Sequence, residues 1–199
     1  LGHAAAAYAG FVAHPERAYL WETLEDERVV NITRAAMWES GRALIAEYPA
    51  EFDRANQGEH IEDLLRRFRN RRLADTVYRV GRDLFRKLGP GDRVIGALRL
   101  QIKHGVAPKG TTAALAAGLL FRAADDAGKL FEDDARFAAV LGERGPQAML
   151  FEVCGLDPGA RAEGEVIERV TELYERLRDE SRREIALSEL AQQVGATSG

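Results

Sequence analysis

Apolar side chains recur at three- and four-residue spacing along most of the chain, and no run alternates strictly between apolar and polar positions. Such spacing places the apolar side chains on one face of a helix. The pattern therefore predicts an all-α protein. The predicted helices cover residues 3–13, 15–27, 29–47, 60–69, 75–88, 92–103, 111–124, 132–142, 145–153 and 162–179.

Between and after these helices, the segment 50–58 is polar and predicts a loop, and the residues beyond 196 predict a frayed tail. Asp92 is a suitable N-cap for the helix that follows it. Thr111 or Thr112 would cap the helix 111–124, which is apolar on every side. A helix without a polar face is normally buried, so we expect this one at the centre of the fold.

The chain has 199 residues and no internal repeat or low-complexity linker, which predicts a single domain over residues 1–199. Its one cysteine, Cys154, cannot form an internal disulfide and favours a reducing, cytoplasmic setting. No apolar stretch approaches the length that crosses a bilayer, and no histidine has metal-ligand spacing. We therefore expect no membrane partner and no bound metal.

Positive charge is concentrated in one part of an acidic chain. The formal net charge is −4, yet residues 66–87 contain nine basic and two acidic side chains. A continuous helix over 75–88 would place Arg79, Arg82 and Arg86 on one stripe, because residues three and four apart share a helix face. The opposite side would carry the apolar residues Val77, Val80, Leu84 and Leu88 toward the core.

Guanidinium groups on one stripe can bind phosphate or carboxylate in a bidentate manner, and Lys87 could add a further charge. The sequence thus predicts a site for a small phosphorylated molecule. Nucleic acid is the weaker interpretation, because this segment lacks the interleaved aromatic residues of a single-strand platform. A third interpretation pairs most of these arginines with acidic residues elsewhere on the surface.

Four stretches of the chain carry a family resemblance: GHAAAAYAGFVA at 2–13, AMWESGRALIAEY at 36–48, DTVYRVGRDLFRKLGPGDRVIG at 75–96, and ERGPQAMLFEVCGLDP at 143–158. In order and spacing they resemble the C-terminal domain of the mannitol dehydrogenase family, the polyol-specific long-chain dehydrogenases. Within that family the resemblance is to the mannitol-1-phosphate 5-dehydrogenases. It extends over about residues 1–178, and the stretch 75–96 is the most specific part.

The resemblance implies a multi-helical substrate domain of the type found at the C-terminus of 6-phosphogluconate dehydrogenase. It also implies an N-terminal Rossmann domain that binds NAD and is absent from this chain. The implied reaction is oxidation of mannitol 1-phosphate to fructose 6-phosphate with hydride transfer to NAD. We expect the chain to be a fragment that is inactive without its nucleotide-binding half.

The family's catalytic signature has a lysine, an asparagine five positions later, and a histidine three beyond it in a Gly-His pair. Gly2-His3 matches the end of this signature, so the resemblance implies a catalytic role for His3. It also implies that Arg86 and Lys87 are the first candidates to bind the substrate phosphate, and that Arg82 is the next candidate. Arg79 either joins them or is held by Asp75.

Two other functions stay open at this point. The enzyme could act on an unphosphorylated polyol or a uronate. The chain could instead be a stand-alone interaction module that uses the basic stripe to bind an acidic partner.

Overall fold

A computed structural model describes residues 1–195. Over this range the chain forms eleven α-helices and one 3-10 helix, with no β-strand beyond two isolated bridges. The all-α prediction is confirmed. The α-helices are α1 (Gly2–Ala13), α2 (Leu20–Thr23), α3 (Glu27–Glu47), α4 (Arg54–Phe68), α5 (Val77–Gly81), α6 (Leu84–Lys87), α7 (Arg93–Lys103), α8 (Lys109–Leu119), α9 (Glu132–Glu152), α10 (Arg161–Arg178) and α11 (Glu180–Gly195), and the 3-10 helix is Arg71–Leu73.

Helices α1, α3 and α8 pack against one another at the centre of the molecule. Small residues dominate the buried positions of α1 and α8, which lets their backbones approach neighbouring helices closely. At Gly110 an added Cβ would lie 2.5 Å from the Ala36 amide nitrogen of α3. Every residue of α8 from Gly110 to Leu119 is buried, so the predicted central position of this helix is confirmed.

The N-terminus of α8 differs from the prediction. The helix begins at Lys109 and ends at Leu119, so neither Thr111 nor Thr112 is its N-cap. The buried Glu39 of α3 replaces a local cap: its carboxylate accepts hydrogen bonds from the backbone N–H of Gly110 and Thr111 and from the Thr111 hydroxyl. A cap from a distant part of the chain leaves no local sequence pattern.

The helix predicted over 15–27 is wrong except for the single turn of α2. The backbone on either side of Tyr19 is engaged elsewhere: Leu20 N–H bonds to the Asp75 carbonyl, and Val77 N–H bonds to the Ala18 carbonyl. This extended pairing uses backbone groups that a helix would have used itself. It also ties the segment before α2 to the start of α5.

The loop predicted over 50–58 is wrong in its second half, because α4 begins at Arg54. Asp53 accepts a hydrogen bond from Asn56 N–H, and the Asn56 side chain bonds back to the Asp53 backbone. This reciprocal capping box stabilises the first turn and allows polar residues to extend the helix backwards.

The cationic helix predicted over 75–88 is also wrong, because it is two short helices, α5 and α6. Arg82 leaves the helical conformation, and Asp83 adopts a left-handed backbone with φ 76°. The break removes the continuous stripe of arginines. The predicted core side survives it, since Val77, Val80, Leu84 and Leu88 are all buried.

The C-terminal half has one agreement with the prediction and one difference from it. Helix α9 contains the break predicted between its two segments, at Gly145 with φ 77°. Helix α11 was not predicted, although its buried residues follow helical spacing: Ala186, Leu187, Leu190, Ala191 and Val194. It packs on α3 and α10, and Arg28 of α3 bonds to its Glu184. The predicted frayed tail lies outside the described residues.

None of the helices in residues 1–195 is both long enough and apolar enough to cross a membrane.

Candidate substrate-binding site

The start of α1, the helices α5 and α6, and the first turn of α7 enclose a cavity of about 300 Å³. Its lining residues are Leu1, His3, Ala4, Arg79, Val80, Arg86, Lys87, Asp92, Arg93 and Val94. We call it the His3 cavity. It brings together four of the five site residues predicted from the sequence, and Arg82 is not among them.

His3 lies in the first turn of α1, where its imidazole stacks on the Phe68 ring with centroids 4.4 Å apart and planes 8° from parallel. Its Nε2 is 3.1 Å from an Asp75 carboxylate oxygen but has no hydrogen bond within the described chain. Burial, together with the smaller effect of the nearby cations Arg79 and Lys87, lowers the pKa of His3 to about 4. At neutral pH the ring is therefore uncharged and can either donate or accept a hydrogen bond.

Two of the three arginines that line the cavity have carboxylate partners. Arg79 forms an ion pair with Asp75 one helical turn earlier. The Arg86 guanidinium bonds to Asp83 and lies 2.9 Å from a carboxylate oxygen of Asp92. These partners fix the guanidinium groups at the wall of the cavity and offset part of their charge.

Lys87 is half-buried, and its ammonium group donates a hydrogen bond to the Val80 carbonyl. Burial lowers the pKa of Lys87, and the neighbouring Arg86 adds to this effect. Arg93, a lining residue that sequence reasoning missed, has no ion pair within the described chain. The sequence feature that could have identified it is its position directly after the N-cap Asp92 and close to the cationic segment.

Asp134 of α9 is the least expected residue of this region. Its side chain is buried, and its carboxylate accepts hydrogen bonds from the backbone N–H groups of Asp83 and Leu84. These bonds hold the left-handed turn between α5 and α6 and satisfy the first free donors of α6. The positions of Arg86 and Lys87 on α6 therefore depend on a carboxylate about fifty residues away in sequence.

Arg82 faces a different cavity, because the chain leaves α5 at this residue. This second cavity, of about 550 Å³, lies between the loop after α1, helix α5 and the turn after α8. We call it the Arg122 cavity. Its lining residues are Phe11, Pro15, Glu16, Arg17, Ala18, Thr76, Val77, Tyr78, Arg79, Arg82, Arg122, Ala123, Ala124, Asp125 and Asp126. Arg79 is the one residue that lines both cavities.

The sequence model described as the mannitol dehydrogenase C-terminal domain matches residues 1–178 of this chain. The match covers most of the chain and includes α1 to α10, with every residue of the His3 cavity. The chain belongs to the mannitol dehydrogenase family. This result confirms the resemblance at family level and favours a dehydrogenase domain over a stand-alone interaction module.

In this mannitol dehydrogenase C-terminal domain, the His3 cavity can hold a small polar molecule. Four cationic side chains line it, namely Arg79, Arg86, Lys87 and Arg93, and three carboxylates pair with the first two of them. With a neutral imidazole the balance is positive. Within residues 1–195 no group of three or more histidine, cysteine or acidic side chains is arranged to hold a metal ion.

Proposed function

We propose that the chain is the substrate-binding domain of an NAD-dependent mannitol-1-phosphate 5-dehydrogenase and that the His3 cavity holds the polyol phosphate. The observation that carries the proposal is the meeting of His3 with Arg79, Arg86 and Lys87 in one cavity of about 300 Å³. The family match independently supports a polyol dehydrogenase.

The substrate's phosphate would lie against Arg86 and Lys87, with Arg93 completing the positive wall. Arg86 is oriented by its two carboxylate partners, so less side-chain entropy is lost when it binds an anion. Lys87 supplies a partly desolvated ammonium group, which interacts more strongly with an anion than a fully hydrated one does.

His3 would bind a hydroxyl group of the polyol through Nε2, the buried nitrogen that has no hydrogen-bond partner in residues 1–195. Stacking on Phe68 fixes the plane of the ring, and the low pKa keeps it neutral. A neutral ring beside Arg79 and Lys87 adds no further positive charge next to the carbon that loses a hydride. This is a positioning role that orients the reacting hydroxyl.

NAD, the cofactor implied by the family, accepts a hydride when bound. Residues 1–195 contain no strand, Gly-rich turn and helix unit that would hold its pyrophosphate. We therefore assign NAD to an N-terminal Rossmann domain that closes over the His3 cavity. The proton acceptor would be the lysine that the family signature places before Leu1.

An unphosphorylated polyol is the second candidate substrate, and the ion pairs favour it. Arg79 is paired with Asp75, and Arg86 with Asp83 and Asp92, so much of the positive charge is already offset. Carboxylates and guanidinium groups in alternation also suit a row of hydroxyl groups, which both donate and accept hydrogen bonds.

The two substrates can be distinguished in the enzyme that joins this domain to its nucleotide-binding half. Arg86→Ala and Lys87→Gln should each raise the KM for mannitol 1-phosphate by about tenfold or more and change the KM for mannitol little, because a charge-assisted bond to phosphate is lost. Arg72→Gln, at an exposed arginine of the 3-10 helix, is the matched control and should leave both constants unchanged. Equal effects of the cavity variants on both substrates would exclude the phosphate assignment.

A further inference from the structure

The Arg122 cavity contains four arginines that fall into two kinds. Arg17 and Arg79 have carboxylate partners, Glu16 and Glu25 for the first and Asp75 for the second. Arg82 and Arg122 form no ion pair within the described chain. Two guanidinium groups without an ion pair in the described residues therefore line the larger of the two cavities beside α5.

Arg82 is held in place without being neutralised. Its guanidinium lies over the rings of Tyr78 and Phe131, at 5.2 and 5.5 Å from their centroids. Contact with aromatic faces orients a guanidinium while leaving its N–H groups at the edge for other partners. The position of Arg82 follows from the break after α5, which turns this residue away from Arg86.

Arg122 is half-buried in the turn after α8, where its Nη1 donates to the carbonyl groups of Leu119 and Phe121. Both bonds use the same nitrogen, so Nη2 and Nε keep their donors for another partner. Burial lowers the pKa of Arg122, but a guanidinium stays charged in proteins. The Asp134 carboxylate favours this charge, but no carboxylate in the described residues forms an ion pair with it, so a bound anion would lower the cost of its burial.

The acidic residues that follow α8 in the same cavity form no ion pair with Arg82 or Arg122. Asp125 uses its Oδ1 to accept hydrogen bonds from the N–H groups of Ala127 and Lys129, which fixes the turn after α8. Asp126 is exposed, and its side chain forms no ion pair in the described residues. The lining of the Arg122 cavity therefore has four guanidinium groups against three carboxylates, and Arg82 and Arg122 are the two guanidinium groups without an ion pair in the described residues.

We infer that the Arg122 cavity is a binding site for the phosphate group of a small molecule, held between Arg82 and Arg122. Two guanidinium groups match the charge of a phosphate dianion, and each can present paired donors to its oxygens. A concave volume of about 550 Å³ encloses a small molecule. The inference goes beyond the proposed function, because it concerns a second cavity that shares only Arg79 with the substrate site.

The test is a titration of this chain with inorganic phosphate at pH 7.5 and constant ionic strength, following the arginine Nε–Hε signals by NMR. The signals of Arg82 and Arg122 should shift saturably, and Arg82→Gln and Arg122→Gln should each weaken this binding by about tenfold. Arg72→Gln, which removes an exposed guanidinium that lines neither cavity, should leave it unchanged.

Three results would overturn the inference: shifts that chloride reproduces, shifts that never saturate, and saturable binding unaffected by Arg82→Gln. Arg82 is exposed, so its replacement tests the site even where Arg122→Gln disturbs the end of α8. Because the readout is phosphate binding and not turnover, the outcome does not depend on which polyol the enzyme oxidises. The two tests are independent: a negative KM result at Arg86 would not contradict this inference, and a negative phosphate titration would not contradict the proposed function.

Discussion

Glu39 and Asp134 are two buried carboxylates that perform the same chemistry in different parts of the molecule. Each accepts backbone N–H groups at the start of a helix that belongs to another part of the chain. Glu39 serves α8, which is buried on every face at the centre of the fold. Asp134 serves α6, a single turn that carries Arg86 and Lys87.

The two carboxylates make the same kind of hydrogen bond, but the helices that they cap lie in different places. The location of the capped helix therefore decides whether the carboxylate supports the stability of the domain or the geometry of the site. Loss of Glu39 leaves donors unsatisfied inside the central packing of α1, α3 and α8, so its effect is on the stability of the whole domain. Loss of Asp134 releases a surface turn, so we expect its main effect on the geometry of the His3 cavity.

The largest expected effect is that of Glu39→Ala. Three donors would lose their acceptor in the buried centre of the fold, and a cavity would remain, so the free energy of unfolding should fall by about 3 kcal/mol or more. Urea denaturation measures this loss. Glu59→Ala, which removes an exposed carboxylate from α4, is the control and should change stability by less than about 0.5 kcal/mol. A loss below about 1 kcal/mol at Glu39 would contradict the comparison.

Asp134→Ala should have a smaller effect on unfolding, about 2 kcal/mol, because fewer donors are left unpaired at the edge of the core. In the complete enzyme it should also raise the KM for the polyol phosphate about tenfold, since α6 no longer holds Arg86 and Lys87 in place. Asp134→Asn keeps one acceptor oxygen and should recover part of both losses. An unchanged KM together with reduced stability would assign Asp134 the same role as Glu39.

The smallest effect concerns pH. Burial raises the pKa of Glu39 and of Asp134, so the folded chain binds these protons more tightly than the unfolded chain does. Their contribution to stability is most favourable below the unfolded pKa values and declines as the pH rises through the folded ones. His3 acts in the opposite direction: its pKa is lowered to about 4, so stability is lost as the pH falls from 6.5 toward 4.

Urea midpoints measured between pH 4 and pH 8 would separate these contributions. Asp134→Asn should reduce the loss of stability that occurs as the pH rises above the unfolded pKa of 3.8. His3→Gln should reduce the loss of stability that occurs as the pH falls from 6.5 toward 4. A curve for His3→Gln that is parallel to that of the unchanged chain would show that the low pKa of this histidine does not enter the folding equilibrium.

Local pattern was sufficient for the helices whose ends are set by nearby residues. Asp92 caps α7 as predicted, and Gly145 separates the two segments of α9. The family stretches also predicted that His3 and the cationic segment belong to one site, and the His3 cavity contains His3, Arg79, Arg86 and Lys87 together. Their roles in substrate binding stay predictions.

Local pattern failed wherever a backbone group is bonded to a distant part of the chain. The segment around Tyr19 pairs with the start of α5 and does not continue as a helix. The break at Asp83 depends on Asp134, which no helical spacing around residues 75–88 could reveal. For the same reason the predicted stripe placed Arg82 beside Arg86, whereas Arg82 follows the end of α5 and lines the Arg122 cavity.

The sequence by itself determined the all-α class, the family, the buried position of α8 and the concentration of positive charge before α7. These properties depend on residue type and on spacing within a few turns of helix. The tertiary structure alone decided that the cationic segment divides between two cavities. A buried carboxylate from α9 holds the turn that separates them, and the energy of such a bond comes from groups far apart in the chain.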